Sequence, residues 1–521
     1  MAPIAIIERQ DVKAVNAGAK ATGSPLYNKR TKIFPKRVDG NFRRLKWYIM
    51  LVTLTIYYVT PWLRWNRGAF APDQAVLIDI AHRRFYLFFI EIWPQEFFYV
   101  AGLLVMAGVG LFLVTSVVGR AWCGYTCPQT VWTDLFIAVE GFFEGDRNAR
   151  KKLDSAPWSG RKLALRSIKH FTWLVIAVAT GGAWIFYFAD APTLLRTLFT
   201  GQAPFVAYGT VAVLTATTYI FGGLMREQVC IYMCPWPRIQ AAMLDEDSLV
   251  VTYNDWRGEP RSHGAKKALA QGIAVGDCVD CNACVAVCPT GIDIRDGQQL
   301  ECITCALCID ACDSVMSKID KPLGLISYST LRDYNHNLAL VKDGTTGLIT
   351  PNHIRDTAGN FNSNIRHFNW HILFRPRTFI YLGMWSVIGI GMLFMLLTRD
   401  RLHLNVQHDR NPVSVKLLDG SIRNGYTIKL LNMVPEPRNI SLSIDGLPGA
   451  SMTAAEMPEI QGRSADISVE PDKLRSLHVF VTQSAQLTNA GQSQFTIIAH
   501  DKQSNESDTY TAQFDVPGAT P

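Results

Sequence analysis

Two runs of four cysteines near the middle of the chain have the same spacing. The first run consists of Cys278, Cys281, Cys284 and Cys288 and is followed by Pro289. The second run repeats these intervals with Cys302, Cys305, Cys308 and Cys312. Three closely spaced thiolates can bind one face of a four-iron cubane, and the fourth ligand then comes from the other run. The duplicated motif therefore predicts two 4Fe-4S clusters that accept and donate single electrons.

Crossed ligation gives each cluster three cysteines from one run and one from the other. The first cluster takes Cys278, Cys281, Cys284 and Cys312. The second cluster takes Cys302, Cys305, Cys308 and Cys288. A structural zinc site uses only four ligands, so eight cysteines in this pattern exceed what zinc requires. Asp313 follows the second run where the motif has proline, which can alter the local turn and the cluster potential but not the number of ligands.

Four more cysteines form two Cys-x-x-x-Cys-Pro motifs, Cys123 with Cys127 and Cys230 with Cys234. Each motif follows an apolar segment that ends in an arginine, so the two form an internal repeat. The residue before proline avoids helical geometry, and proline suits the first turn of a new helix. We therefore predict that each helix breaks at its second cysteine and that all four thiols lie at one depth, the cytoplasmic membrane edge.

The chemistry of these four thiols is open at this point. They can be small apolar packing residues, redox-active dithiols, or ligands of a soft metal. Thiolates favour monovalent copper, and Met225 and Met233 lie nearby in the sequence and would suit it as well. Iron and zinc are the alternative metals.

Five apolar segments reach the length of about 20 residues that a bilayer requires. They are predicted near Leu45–Leu63, Phe97–Val118, Ile168–Ala189, Phe205–Met225 and Phe379–Leu397. A shorter stretch, Phe85–Trp93, contains Glu91 and is predicted to be interfacial or re-entrant. Beyond His403, alternating strands separated by turn residues at Asp419-Gly420, Asn424-Gly425 and Asp445-Gly446 predict a small β-sandwich.

Lysine and arginine flank the predicted spans unevenly. They are abundant in the N-terminal tail and between the second and third spans, whereas the segment 190–203 carries only Arg196. Because cytoplasmic loops are enriched in these residues, the tail, that loop and the cluster-binding region should be cytoplasmic. The C-terminal region should then be periplasmic, although Arg83, Arg84, Arg399 and Arg401 depart from the rule.

The sequence thus predicts a membrane protein of several domains. Residues 1–44 form a cytoplasmic N-terminal tail, and residues 45–245 form a four-helix membrane domain with both Cys-x-x-x-Cys-Pro motifs. Residues 246–370 form a cytoplasmic bacterial dicluster ferredoxin domain, 371–400 the fifth span, and 401–521 a periplasmic immunoglobulin-like β-sandwich.

Other classes of site have no support in the sequence. All 12 cysteines lie between Cys123 and Cys312 in short-spaced groups, which indicates metal binding on a reducing side and not disulfides. The predicted spans contain no histidine away from their edges, which argues against a membrane haem. Dinucleotide and Walker A motifs are also missing. The net charge of +7 gathers near the spans, which predicts membrane orientation and no nucleic-acid binding.

These features together resemble the FixG/CcoG family of cytochrome oxidase accessory proteins. The resemblance is carried by both ferredoxin runs, the β-rich tail and the segments Trp122–Gln129, Val229–Gln240 and Ile92–Gln95. Only the first residues of the chain lie outside it. It implies a bacterial inner-membrane polyferredoxin with five spans and an immunoglobulin-like periplasmic domain.

The resemblance also implies a function in assembly of the cbb(3)-type cytochrome c oxidase, by reduction of Cu(II) to Cu(I). Carried over to this chain, Cys123, Cys127, Cys230 and Cys234 become the candidates for catalysis and copper binding, with copper as substrate or transient ligand. The implied partners are assembly factors of that oxidase, copper-handling proteins and membrane lipid, together with an electron donor that the sequence does not identify.

Two other functions fit the same motifs. One is a quinol dehydrogenase subunit that passes electrons to a respiratory reductase, because such polyferredoxins also combine ferredoxin runs with membrane Cys-x-x-x-Cys-Pro motifs. The other is a non-catalytic assembly scaffold whose clusters are structural or sensory.

Overall fold

The computed structural model describes residues 9–12, 32–68, 71–263, 275–341, 364–367, 369, 373–457, 461–484, 486–487 and 493–516. The chain divides into two compact units, Met1–Trp62 with Phe98–Gly389, and Leu63–Phe97 with Ile390–Pro521. Most of the predicted N-terminal tail, 1–8 and 13–31, lies outside the described residues, as do 264–274 and 342–363 of the predicted ferredoxin domain.

The described α-helices are numbered in chain order. They are α1 (Asn41–Val59), α2 (Phe98–Val118), α3 (Pro128–Phe143), α4 (Arg147–Ser155), α5 (Gly160–Thr180), α6 (Ala191–Thr200), α7 (Phe205–Thr218), α8 (Trp236–Met243), α9 (Asp255–Gly258), α10 (Ala283–Val287), α11 (Leu307–Lys318), α12 (Leu331–Val341) and α13 (Pro376–Leu397). Short 3-10 helices span Thr60–Trp62, Pro94–Glu96, Gly182–Tyr187 and Ile294–Asp296. Stretches of π-helix span Trp122–Thr126, Tyr219–Met225 and Val229–Met233.

Four helical stretches of the described chain are long and apolar enough to cross a membrane. They are Pro94–Val118, Gly160–Tyr187, Phe205–Met225 and Pro376–Leu397. Their apolar side chains are largely exposed, as expected for surfaces that face lipid. Four of the five predicted spans are therefore confirmed as candidates, and the prediction of five is wrong.

The predicted first span, Leu45–Leu63, lies largely in α1, but this helix carries too many charged residues to be a candidate membrane span. Its first two turns carry Arg43, Arg44 and Lys46. The backbone N–H groups of α1 there donate to the Asp310 carboxylate, and the buried Lys46 forms an ion pair of 2.9 Å with Asp134. The uncharged remainder of the helix after Lys46 is shorter than the about 20 residues that a span requires.

The two ferredoxin runs fold together around one small core. α10 follows the second cysteine of the first run and α11 follows the second cysteine of the second run. Both lie against an antiparallel pair of strands, β4 (Val250–Tyr253) and β5 (Ile326–Ser329). The buried core includes Ile309, Met316 and Leu325 together with Cys278, Cys284 and Cys312. Cysteines are thus part of the packed interior and not of a surface loop.

The second unit contains a β-sandwich of two antiparallel sheets. Its strands are β6 (Leu402–His408), β7 (Val415–Lys416), β8 (Ile422–Asn432), β9 (Arg438–Asp445), β10 (Ser451–Ala454), β11 (Gln461–Gly462), β12 (Ser464–Val469), β13 (Leu474–Gln483), β14 (Ser493–Asp501) and β15 (Ser507–Phe514). One sheet has the order β11-β10-β13-β8-β6, with β7 paired to β8, and the other has the order β12-β9-β14-β15. The two inner faces enclose a common apolar core, so the predicted immunoglobulin-like sandwich is confirmed.

Turn residues in this sandwich were predicted with one error. Gly420 and Gly446 have φ of 85° and 83°, as turns require. Gly425 instead lies inside β8. A Cβ there would lie 2.3 Å from Oδ2 of Asp409, so this glycine permits a close approach between chain segments and does not form a turn.

The segment Phe85–Trp93, predicted to be interfacial or re-entrant, folds as β-strands, and its position relative to the membrane stays a prediction. It forms most of a three-stranded antiparallel sheet in the second unit, made of β1 (Val76–Asp79), β2 (Arg84–Leu87) and β3 (Ile90–Ile92). Glu91 is accommodated because it pairs across the hairpin with Arg84 at 3.2 Å.

Replacing Ile497 of β14 with alanine should destabilise the sandwich by about 2–5 kcal/mol, because the side chain is fully buried in the core. The matched change Thr511→Ala, on the exposed face of the neighbouring strand β15, should change stability by less than about 0.5 kcal/mol. Calorimetry of the full-length protein in detergent measures both. Equal transition temperatures for the two variants would contradict the assigned core.

Candidate functional site

Both cysteine runs bend around their second cysteine in the same left-handed backbone conformation. Positive φ angles occur on both sides of that cysteine in each run, at Asp280 (48°), Asn282 (58°), Thr304 (55°) and Ala306 (59°). Residues other than glycine adopt this region rarely, and a β-branched threonine is strained there. The repeated strain identifies two copies of one ligand loop. Sequence reasoning missed it because none of the four positions is glycine.

Each ligand loop helps to enclose a cavity lined by sulfur. One cavity is lined by Cys284, Cys288, Cys302, Cys305 and Cys308. The other is lined by Cys278, Cys281, Cys284 and Cys312.

The lining shows the crossed grouping that the spacing predicts. Cys288 of the first run lines the cavity of the second run, and Cys312 of the second run lines the cavity of the first. Cys284 reaches both cavities, so the two sites are adjacent. The assignment of each ligand bond stays a prediction.

The donor chemistry fits iron–sulfur clusters. Burial raises the pKa of the Cys284 and Cys305 thiols to about 12, so both are neutral as free thiols at pH 7. Thiolate is the ligand form, and iron binding must therefore displace these protons while its positive charge compensates the desolvation. No group of three His, Cys, Asp or Glu in the described chain is arranged to hold a metal ion, as expected for ligands spread around a larger cubane.

Each cavity also has a buried cation nearby. Arg295 forms ion pairs with Asp280 and Asp293 at 2.8 and 2.7 Å, and its charge opposes the effect of burial on the pKa of Cys284. Lys46 has the same opposing effect on Cys305. In the second loop the Thr304 N–H donates to the Cys302 sulfur at 3.4 Å. Local charge, burial and hydrogen bonds to sulfur set the reduction potential of a cluster.

Both Cys-x-x-x-Cys-Pro motifs end their helical segments in a π-helical turn, Trp122–Thr126 and Val229–Met233. The second cysteine of each motif then leaves the helix, with ψ of 127° at Cys127 and 121° at Cys234. The extended geometry expected before proline is thus present at both cysteines. The spanning helices themselves end earlier than predicted, at Val118 and Met225, where Gly119 and Arg226 have positive φ of 63° and 44°. The π-turns themselves were not predicted, and such turns are frequent at functional sites.

The four motif thiols come together in one group. Burial raises the pKa of Cys230 to about 12, and its interactions with Cys127, Cys123 and Cys234 add to that effect. Cys123 is buried with its sulfur 2.9 Å from Oε1 of Gln240, whereas the other three thiols are partly exposed.

The first motif lies directly against the loop of the second ferredoxin run. A Cβ on Gly124 would lie 2.8 Å from the Ile303 carbonyl oxygen and 3.1 Å from Cα of Cys305. The Tyr125 hydroxyl is 3.4 Å from the Cys305 carbonyl oxygen, and Cys123 shares a buried cluster with Ile303 and Cys305. The membrane thiols and a cluster-binding loop are therefore in backbone contact within the first unit.

Comparison with known protein families agrees with this geometry. A 4Fe-4S dicluster domain matches residues 225–331, and a 4Fe-4S binding domain matches residues 100–147, which include Cys123 and Cys127. The immunoglobulin-like fold found at the C-terminus of FixG matches residues 392–517. The chain therefore carries iron–sulfur clusters of the 4Fe-4S type in a membrane protein, and a copper role is not part of these matches.

Individual relatives cover nearly the whole chain. The nitrogen fixation protein FixG of Rhizobium meliloti is 65% identical over 99% of this chain and 98% of its own. Protein RdxA of Cereibacter sphaeroides is 50% identical over 88% of this chain and 90% of its own. The crystal structure of a FixG-related protein from Vibrio parahaemolyticus covers 22% of this chain and 96% of its own, at 22% identity and a TM-score of 0.20.

Replacing Cys302 with alanine should remove one cluster and lower the iron content from about eight to about four atoms per chain, because this thiol lines only one cavity. The matched change Cys127→Ala, in the membrane motif, should leave all the iron in place. Iron and acid-labile sulfide are measured on anaerobically purified protein. Full iron in the Cys302 variant would contradict the two-cavity assignment.

Proposed function

The chain belongs to the FixG family, and from that premise we propose that it reduces Cu(II) to Cu(I) for the assembly of a cbb(3)-type cytochrome c oxidase. In this proposal it is an oxidoreductase of the bacterial inner membrane, and the four motif thiols receive the copper. Its partners would be assembly factors of the oxidase and copper-handling proteins, with an electron donor still to be identified.

The contact between Gly124 and the Ile303–Cys305 loop carries the proposal. Two 4Fe-4S clusters, when bound, supply single electrons at a site enclosed by protein. The backbone contact brings the thiol motif next to one of the two cluster cavities. Cys305 belongs to both features, since it lines that cavity and touches the Gly124 turn. The chain therefore has a short protein path between a one-electron carrier and the thiols.

The thiol group has the properties that cupric reduction needs. Addition of one electron to Cu(II) gives Cu(I), so the step requires no proton or atom transfer. Thiolates stabilise Cu(I) over harder ions, which favours the reduced product. Three of the four thiols are partly exposed, so a copper ion can reach them.

We further propose that the ferredoxin loops and the thiol group face the cytoplasm and that the β-sandwich faces the periplasm. The support is the lysine- and arginine-rich N-terminal tail and the basic helix α4, which contains Arg147, Arg150, Lys151 and Lys152. Reducing conditions in the cytoplasm would also keep all 12 cysteines free of disulfides.

Changing Cys123, Cys127, Cys230 and Cys234 together to serine should abolish cupric reduction while leaving the visible spectrum of the clusters intact. The reason is that the cluster cavities are lined by other cysteines. Anaerobic titration with Cu(II) and a cuprous indicator measures the reaction. Wild-type rates in the quadruple variant would overturn the copper assignment, and cluster reduction by a quinol would favour the dehydrogenase alternative.

Replacing Gly124 with alanine should slow cupric reduction by about tenfold or more, because the new methyl group forces the turn away from the Ile303–Cys305 loop. Gly141→Ala on α3 is the matched control, since a Cβ there meets no other atom within 4 Å. Both variants are compared at equal iron content. An unchanged rate in the Gly124 variant would show that electrons take another path.

A further inference from the structure

Arg120 carries a buried charge that no described acidic group neutralises. It follows α2, three residues before Cys123, and only 4% of the residue is exposed. Its Nη1 donates to the Leu300 carbonyl oxygen at 2.7 Å, whereas Nε and Nη2 have no hydrogen-bond partner among the described residues. A buried charge is costly unless it is paired. The buried positive charge of Arg120 therefore requires an anionic partner that forms at this position.

The internal repeat supplies a comparison within the same chain. Arg226 is the corresponding arginine before the second thiol motif. Its Nη2 forms an ion pair of 2.6 Å with Glu140, and its Nε donates to the Gly223 carbonyl oxygen at 2.8 Å. The charge of Arg226 is thus neutralised by a carboxylate. The repeat has kept the arginine twice but has given a carboxylate partner to one copy only.

The Arg120 guanidinium lies beside residues of both sites. It is close enough to interact with the Cys123 side chain. The Leu300 carbonyl group that accepts its hydrogen bond lies two residues before Cys302 in the second ferredoxin run. The guanidinium therefore lies next to the first membrane motif and to one cluster-binding loop.

We propose that Arg120 is the counter-charge for anionic sulfur at both sites, the thiolates that receive copper and the cluster cavity that contains Cys302. It is a positioning residue, because it acts through these sulfur ligands. A cluster with four thiolate ligands is anionic and gains a further negative charge on reduction. A fixed cation beside the cluster favours its reduced form, and the same cation lies next to the Cys123 side chain that would bind copper.

The part of this proposal that concerns copper rests on the proposed function, whereas the part that concerns the cluster does not. Arg120→Gln removes the charge, Arg120→Lys keeps it, and Arg226→Gln is the matched control in the second repeat. The primary readout is a redox titration of the clusters followed by electron paramagnetic resonance, without copper. The second readout is Cu(I) affinity, from competition with a cuprous chelator.

Arg120→Gln should lower the equilibrium constant for reduction of one cluster by about tenfold, a shift of about 59 mV to lower potential for a one-electron couple. It should also weaken Cu(I) binding by about tenfold. Arg120→Lys should remain near wild type in both measurements, and Arg226→Gln should leave both unchanged when iron is retained.

Unchanged potentials in iron-replete Arg120→Gln would overturn the proposal. Loss of iron from the Gln and Lys variants alike would also overturn it, because the role would then be to anchor the Leu300 carbonyl. If Arg120→Gln shifts the cluster potential but the wild-type protein does not reduce copper, the counter-charge role at the cluster is supported and the proposed copper function is rejected. The two failures are thus distinguishable.

Discussion

Close backbone contact between the turn at Gly124 and the loop Ile303–Cys305 is the constraint on which the arrangement of thiols and cluster cavities depends. Because Gly124 has no side chain, the two peptide backbones can come into contact. The Tyr125 and Tyr328 hydroxyls also donate hydrogen bonds to carbonyl oxygens of the same loop. The π-turn at Trp122–Thr126 and the left-handed residues around Cys305 present the two surfaces to each other. Neither surface would fit without these local departures from regular geometry.

Local spacing was enough to predict the ligands, because cluster binding depends on short intervals along the chain. The grouping of Cys288 and Cys312 with the opposite runs follows from the same rule and agrees with the lining of the two cavities. Proline after Cys127 and Cys234 likewise predicted the extended geometry that ends each motif, although the spanning helices end several residues earlier. In each case the governing physics acts within a few residues.

Long-range packing limited the rest. The charged residues at the start of α1 are typical of the flank of a membrane span. In the structure, however, Lys46 forms an ion pair with Asp134 of the distant helix α3. Phe85–Trp93 is too short for a span, and its own residues do not show that it pairs with the strand β1. Arg120 and Arg226 both precede a Cys-x-x-x-Cys-Pro motif, and only the fold shows that Arg226 is paired with Glu140 whereas Arg120 has no ion pair among the described residues.

The second unit is assembled from two stretches of chain that are far apart in sequence. Trp93 shares a buried cluster with Leu431 and Met433, and Arg399 forms an ion pair of 2.9 Å with Glu96. The early hairpin leaves the ribosome long before these later partners exist, and closing so long a loop carries an entropic cost. Biogenesis of this unit is therefore ordered in time. The hairpin stays incompletely packed until the segment that contains Arg399, Leu431 and Met433 has been synthesised.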